Sequence, residues 1–174
     1  MEVFEAIRTV LAVRQYRDQP VPPESVRRIL EAGRLTGSAK NAQPWQFIVV
    51  ENRDTLQQIG ATMRTGGYVA GAPLAIVVVA ENDIFGLSDA SRAIQSMILA
   101  AWSEGIGSNW AGFPVPGGSD MDPLKPLLGI PESLQIIGVI SFGYPARETE
   151  FKGNKRRKPL AEIAHRERFG QSFE

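Results

Sequence analysis

Apolar side chains recur along this chain with two periods. Val3, Phe4, Ile7, Val10 and Leu11 fall at helical spacing and predict an amphipathic N-terminal helix. A second helix is expected after Pro20-Val21-Pro22-Pro23, with Val26, Ile29, Leu30 and Gly33 on one face. The prolines fix its entry, and Gly33 is small enough for close packing. Trp45 to Val50 reads as a strand and Leu56 to Met63 as a short helix. The run from Pro73 to Ala80 is apolar and rich in β-branched residues, which predicts a strand buried on both faces. Ala90 to Ser103 is the most apolar helix, with Ile94, Met97, Ile98, Ala101 and Trp102; alanines and serines elsewhere on it suggest a second packed face. A short strand is expected at Ile106 to Trp110 and a longer one at Leu134 to Phe142. After Phe151 the chain turns basic and loop-like, then forms a short helix from Pro159. Elements alternate without linker or repeat, so residues 1–174 are expected to form one domain.

Composition removes several function classes. Lys plus Arg equals Asp plus Glu at 19 each, so no net field recruits nucleic acid or a membrane surface. The absence of cysteine excludes disulfides, thiolate metal sites and a cysteine nucleophile. Glu2 and Glu5 and the lack of a long apolar core argue against a signal peptide, and no apolar run reaches the length of a membrane span; the expected location is the cytoplasm. Neither GxGxxG after a strand nor GxxxxGK[ST] occurs; "GIGSNW" lacks the final glycine and the following helix. His165 is the only histidine and is expected on a short surface helix, so a His-dependent triad or His-rich metal site has no material. Carboxylates show no paired spacing for general acid–base work. An enzyme built from these residues would take its chemistry from a cofactor.

Three polar clusters are candidates for holding one. Arg14-Gln15-Tyr16-Arg17 follows the first helix, where arginines complement a helix C-terminus but also present donors to a phosphate or a planar ring edge. The segment "TGSAKNAQPWQFIVV" crowds Gly37, Ser38, Asn41 and Gln43 against the mouth of an apolar strand, more backbone-permissive and amide groups than a turn requires. Lys155-Arg156-Arg157-Lys158 is a basic turn whose ordinary explanation is solvation. Together the clusters suit a flat, anionic, polar-edged ligand.

"VRQYR", "SAKNAQPWQF", "DASRAIQSMILAAWSEGIGSNW", "GYP" and "KRRKPL", in that order from about Ala6 to Ile163, resemble the nitroreductase family of FMN-dependent flavoenzymes. Asn-x-Gln-Pro-Trp is the most specific element. The resemblance implies an α+β fold with a central, mostly antiparallel sheet flanked by helices, and an intertwined homodimer with FMN at the interface. It assigns Arg14, Gln15 and Arg17 to the flavin ring edge, ribityl chain and phosphate. Ser38 and Asn41 would contact the other subunit's flavin, Ala111 and Gly112 would lay backbone amides near the reactive ring, and Lys155 and Arg157 would close on the phosphate. The family's first motif commonly opens Arg-Arg-Ser, and Val13 and Gln15 are read here at its first and third positions. The short segment Phe113 to Pro123 offers little to form a helical lid over the substrate.

The expected activity is ping-pong electron transfer from NADH or NADPH to nitroaromatic, quinone or similar electron-poor acceptors, with the flavin and no side chain as catalyst. The alternatives are an FMN store or sensor without turnover, and a flavin-consuming or dehalogenating branch of the family. A homodimer is expected independently. The helix from Ala90 to Ser103 is apolar nearly all round, and Phe169 and Phe173, four residues apart, would share one side of a C-terminal helix that wraps the neighbour.

Overall fold

The computed structural model describes residues 1–114, 119–147 and 155–173. Its centre is a four-stranded sheet of β1 (Trp45–Val50), β2 (Leu74–Glu81), β3 (Gly107–Ala111) and β4 (Leu134–Gly143). The strands lie in the order β1-β2-β4-β3, with every neighbouring pair antiparallel. The helices are α1 (Val3–Thr9), α2 (Pro23–Arg34), α3 (Arg53–Thr62), α4 (Ile84–Ser103) and α5 (Leu124–Leu128).

The period-2 alternation of β2 explains the layers. Leu74, Ile76, Val78 and Ala80 face α2 and α4, packing with Ile29, Ile94 and Met97. Ala75, Val77 and Val79 face the opposite way, onto Leu56 and Ile59 of α3 and onto Met121 and Leu124. A sheet covered on both faces has no use for polar residues in its central strand, which is why β2 reads as a continuous apolar run. The observed fold is the flanked antiparallel sheet that the resemblance implies.

Besides smaller shifts, such as α3 beginning at Arg53 and not Leu56, the elements differ from expectation in four places. First, α1 ends at Thr9, and Val10 and Leu11 leave it in extended backbone. The chain is drawn into pairing with β3: the Val13 N–H donates to the Ser108 carbonyl at 2.8 Å, and Ala12 bridges Ser108 in parallel. Second, α4 starts six residues before Ala90, because the Asp83 carboxylate caps it by accepting the Gly86 N–H at 2.6 Å. Third, α5 has no expected counterpart; it is one short turn closed by Gly129 in the left-handed region (φ 66°). Fourth, the tail after Pro159 makes only a 3-10 turn, Leu160–Glu162, and then folds back so that His165 bridges Ser172. Phe169 and Phe173 therefore do not share a helical face, and His165 sits in this turn with its ring 4.5 Å from that of Phe169.

Short as it is, α1 is firmly placed. Ala6, Val13 and Trp102 form a small buried cluster, and the Trp102 indole N–H donates to Thr9 Oγ1 at 2.9 Å. The anchoring uses one side of α1 only. Val3, Phe4 and Ile7 remain exposed.

Candidate functional site

Between the anchored α1, the outer side of α4 and the start of β3 lies a cavity of 830 Å³. Phe4, Ile7, Arg8 and then Val10, Leu11 and Ala12 form one wall; Gln95 and Ile98 of α4 form the second; Ser108, Asn109 and Trp110 of β3 form the third. Lys155 and Arg157 close the fourth side from the far end of the chain. Among the described residues its lining combines three cations (Arg8, Lys155 and Arg157) and no carboxylate with an apolar floor and amide edges. That donor set fits a flat, anionic molecule with polar edges.

The third wall depends on a close approach. Trp110 lies across Gly138 of β4, where an added Cβ would stand 2.1 Å from the indole Nε1. No side chain fits between them, so glycine at 138 lets the indole lie flat on the sheet. The Nε1 is buried and has no hydrogen-bond partner among the described residues.

Lys155 joins the basic closure to α1. Its Nζ donates to the carbonyl of Ile7, in the last turn of α1, where a cation complements the carbonyl end of the helix. Burial, and then the neighbouring Arg157 charge, hold its ammonium below the ordinary lysine range. Tyr68 moves the other way. Burial raises its phenol, with Asn109 and the Arg14 charge acting against that rise.

Not all nine residues singled out in the sequence reach this cavity. Lys155 and Arg157 line it. Arg14, Gln15 and Arg17 do not: the Arg14 guanidinium sits 5.8 Å from the centre of the Tyr68 ring. The Gln15 carbonyl accepts from the Ala146 N–H at 3.0 Å, and Arg17 Nε donates to the Pro145 carbonyl at 2.9 Å, which ties this segment to the end of β4. Arg17 instead borders a separate hollow of 550 Å³ with Asp18, Glu51 and Arg53. Ala111 is buried at the end of β3, and Gly112 turns away at φ 74° against Met121. It is the preceding β3 residues, Ser108 to Trp110, that face the cavity.

Ser38 and Asn41 lie on a loop that does not line this chain's cavity. Lys40, Asn41 and Gln43 all adopt positive φ (52°, 56° and 51°), a costly conformation for residues with side chains. The loop holds itself there: Ser38 Oγ accepts the Gln43 N–H at 2.9 Å, and Gln43 Nε2 donates to the Asn41 carbonyl at 3.2 Å.

Val13 and Gln15, read in the sequence as departures from the family's opening Arg-Arg-Ser, do not line the cavity. Val13 is wholly buried beneath Gly107, whereas the cavity wall is Val10-Leu11-Ala12. The sequence reading missed Arg8, Gln95, Ser108 and Asn109. Only Arg8 carried a signal, as a cation two residues ahead of that apolar triplet.

A family model described as the nitroreductase family matches residues 8–85 and 67–144. The chain belongs to the nitroreductase family. A protein of Methanothermobacter thermautotrophicus provisionally named NADH dehydrogenase/NAD(P)H nitroreductase is 38% identical over 151 residues, covering 84% of this chain and 78% of that protein. Among solved structures, a provisionally named nitroreductase of Desulfovibrio desulfuricans in complex with FMN has 33% identity and a TM-score of 0.80, over 97% of this chain and 98% of its own. An FMN-dependent nitroreductase of Clostridium difficile has 25% identity and a TM-score of 0.85, over 95% of this chain and 99% of its own. Among the described residues no helix is long and apolar enough to cross a membrane, and no group of His, Asp or Glu is placed to hold a metal ion.

Proposed function

We propose that this nitroreductase-family chain binds FMN in the cavity between α1, α4 and β3 and works as an NAD(P)H-dependent oxidoreductase. The observation that carries the reading is the lining, which among the described residues brings three cations, no carboxylate, an apolar floor and amide edges into one space. Bound there, FMN would supply the redox chemistry, taking electrons from NADH or NADPH and giving them to a nitroaromatic, quinone or similar acceptor in ping-pong order.

The chain's own residues bind and orient. Lys155 and Arg157 would hold the phosphate, while Gln95 and Asn109 would offer hydrogen bonds to polar ring edges and ribityl hydroxyls. Ile98, Leu11 and Trp110 give an aromatic ring system apolar contact. Cations close to the ring edge would also stabilise negative charge on a reduced ring system. Arg14, exposed beyond Tyr68, is the member of the N-terminal cluster with a guanidinium not held by the end of β4.

The working unit in this proposal is a homodimer. Phe4, Ile84, Phe85, Leu160, Ile163, Phe169 and Phe173 are all exposed on one chain, and Phe169 is 92% so. Pairing would cover them and would bring the Ser38–Asn41 loop of one copy to the cavity of the other, giving that self-braced loop a ligand to face.

Anaerobic mixing with NADH or NADPH tests the reading. The expected result is bleaching of bound FMN, reoxidation by added acceptors, and parallel double-reciprocal lines when both substrates are varied. FMN that binds but that neither nucleotide reduces would make the protein a flavin store or sensor instead.

A further inference from the structure

We infer that Arg8 is the residue by which this cavity selects a phosphorylated flavin over an unphosphorylated one. The inference rests on the FMN reading above and deepens it. It begins with what the first wall lacks. Val10, Leu11 and Ala12 bring no side-chain hydroxyl, amide or cation to the cavity, so any anion contact from the N-terminal segment falls to the residues beside them. Arg8 is the cation at that place.

Its charge has an ordinary use, because Arg8 stands in the last turn of α1, where a cation complements the carbonyl end of the helix. That role is already filled. Lys155 donates to the Ile7 carbonyl at the same helix end. Arg157, the third cation, has its Nη1 engaged by the carbonyl of Arg156. Arg8 has neither an ion pair nor a side-chain hydrogen bond among the described residues. Its planar fork of five donors is therefore the least committed of the three. A guanidinium meets a phosphate through two parallel hydrogen bonds, which an ammonium cannot do. With no carboxylate to compete among the described lining residues, the phosphate monoester of FMN is the matching partner. Recognition of this kind acts through charge and is weakened by salt, because exposed charges are screened within about 10 Å at 0.1 M ionic strength.

The test is titration of FMN and riboflavin by flavin fluorescence against the wild-type full chain, Arg8→Gln and Arg8→Lys, at low and high salt. Wild type should prefer FMN, and added inorganic phosphate should compete with FMN but not with riboflavin. Arg8→Gln should weaken FMN by about tenfold or more, as expected for a charged hydrogen bond, and leave riboflavin within about twofold. Arg8→Lys should recover part of the loss, and high salt should shrink the FMN preference of wild type more than that of Arg8→Gln. Equal weakening of both flavins by Arg8→Gln, or no change in their ratio, overturns the inference and leaves the FMN site standing. A wild-type protein that binds neither flavin overturns the FMN reading and this inference together.

Discussion

The buried carboxylate of Asp89 accepts the backbone N–H of Ala39 at 2.8 Å, joining α4 to a loop fifty residues earlier. Its other oxygen takes a hydrogen bond from Arg92 Nη1 at 3.2 Å. The loop it grips is the one holding three side-chain-bearing residues at positive φ. Asp89 thus helps to hold a conformation that the loop residues themselves disfavour.

Removing this grip should cost both stability and loop order. Asp89→Ala is expected to lower unfolding free energy by about 1.5–3 kcal/mol, the range for a hydrogen bond to a charged group, read from urea denaturation. Trypsin should also cut faster after the exposed Lys40. Asp89→Asn keeps an acceptor for the Ala39 N–H and should lose clearly less. A loop equally resistant in all three proteins would show that Ser38 and Gln43 suffice to hold it.

Gly138→Ala should unseat Trp110. The new methyl would stand 2.1 Å from Nε1, so the indole must tilt or the strands must part. Overpacking of this kind costs about 1–3 kcal/mol. Because Trp110 is a cavity wall, tryptophan emission and FMN affinity should both change in Gly138→Ala. A crystal structure of the variant with the indole unmoved would contradict this.

FMN affinity should fall at alkaline pH sooner than an ordinary lysine would dictate. Lys155 is held below the usual value of 10.5 by burial and by the Arg157 charge. Its charged form, present below its own pKa, is the one that attracts a phosphate. Affinity should therefore be full at neutral pH and decline as pH rises through the lowered value. Lys155→Arg keeps its charge throughout and should flatten the decline in fluorescence titrations. A wild-type profile identical to that of Lys155→Arg would remove Lys155 from the phosphate subsite.

The tail aromatics should matter to assembly and not to the fold of one chain. Phe169 and Phe173 are exposed, so replacing both with Ser should leave the thermal unfolding of a monomer nearly unchanged. In sedimentation experiments the same double variant should shift a dimer towards monomer. Wild-type protein that sediments as a monomer at micromolar concentration with FMN present would rule out the dimer.

The sheet was legible because burial on both faces leaves an unmistakable apolar run from Leu74 to Ala80, and because an antiparallel partner such as β4 shares that composition. Where tertiary contacts overrule local pattern, legibility ended. Val10 and Leu11 complete a helical stripe on paper, yet pairing with Ser108 pulls the chain straight two residues earlier. Asp83 was a readable cap that the apolar pattern starting at Ala90 outweighed. At the site, the basic turn was found because Lys155 and Arg157 stand out by charge. Ser108, Asn109 and Gln95 are ordinary polar residues whose meaning comes only from the wall they share.

The cavity's walls come from opposite ends of the chain, and this sets an order on how the molecule is made. The segment from Ala12 to Arg17 finds its hydrogen bonds at Ser108 and at Tyr144 to Ala146, so it waits for β3 and for the end of β4, both made much later, before it can dock fully. The helix α1 itself packs on Trp102 of α4, which is made before β4, while Val3, Phe4 and Ile7 stay on its surface. Contacts of such sequence separation form late and slowly. A nascent chain would carry this helix unpartnered until α4 has been made, a natural point of chaperone engagement. Any product halted before Lys155 lacks the closing side of the cavity, so the pocket is enclosed only after that basic turn has been made.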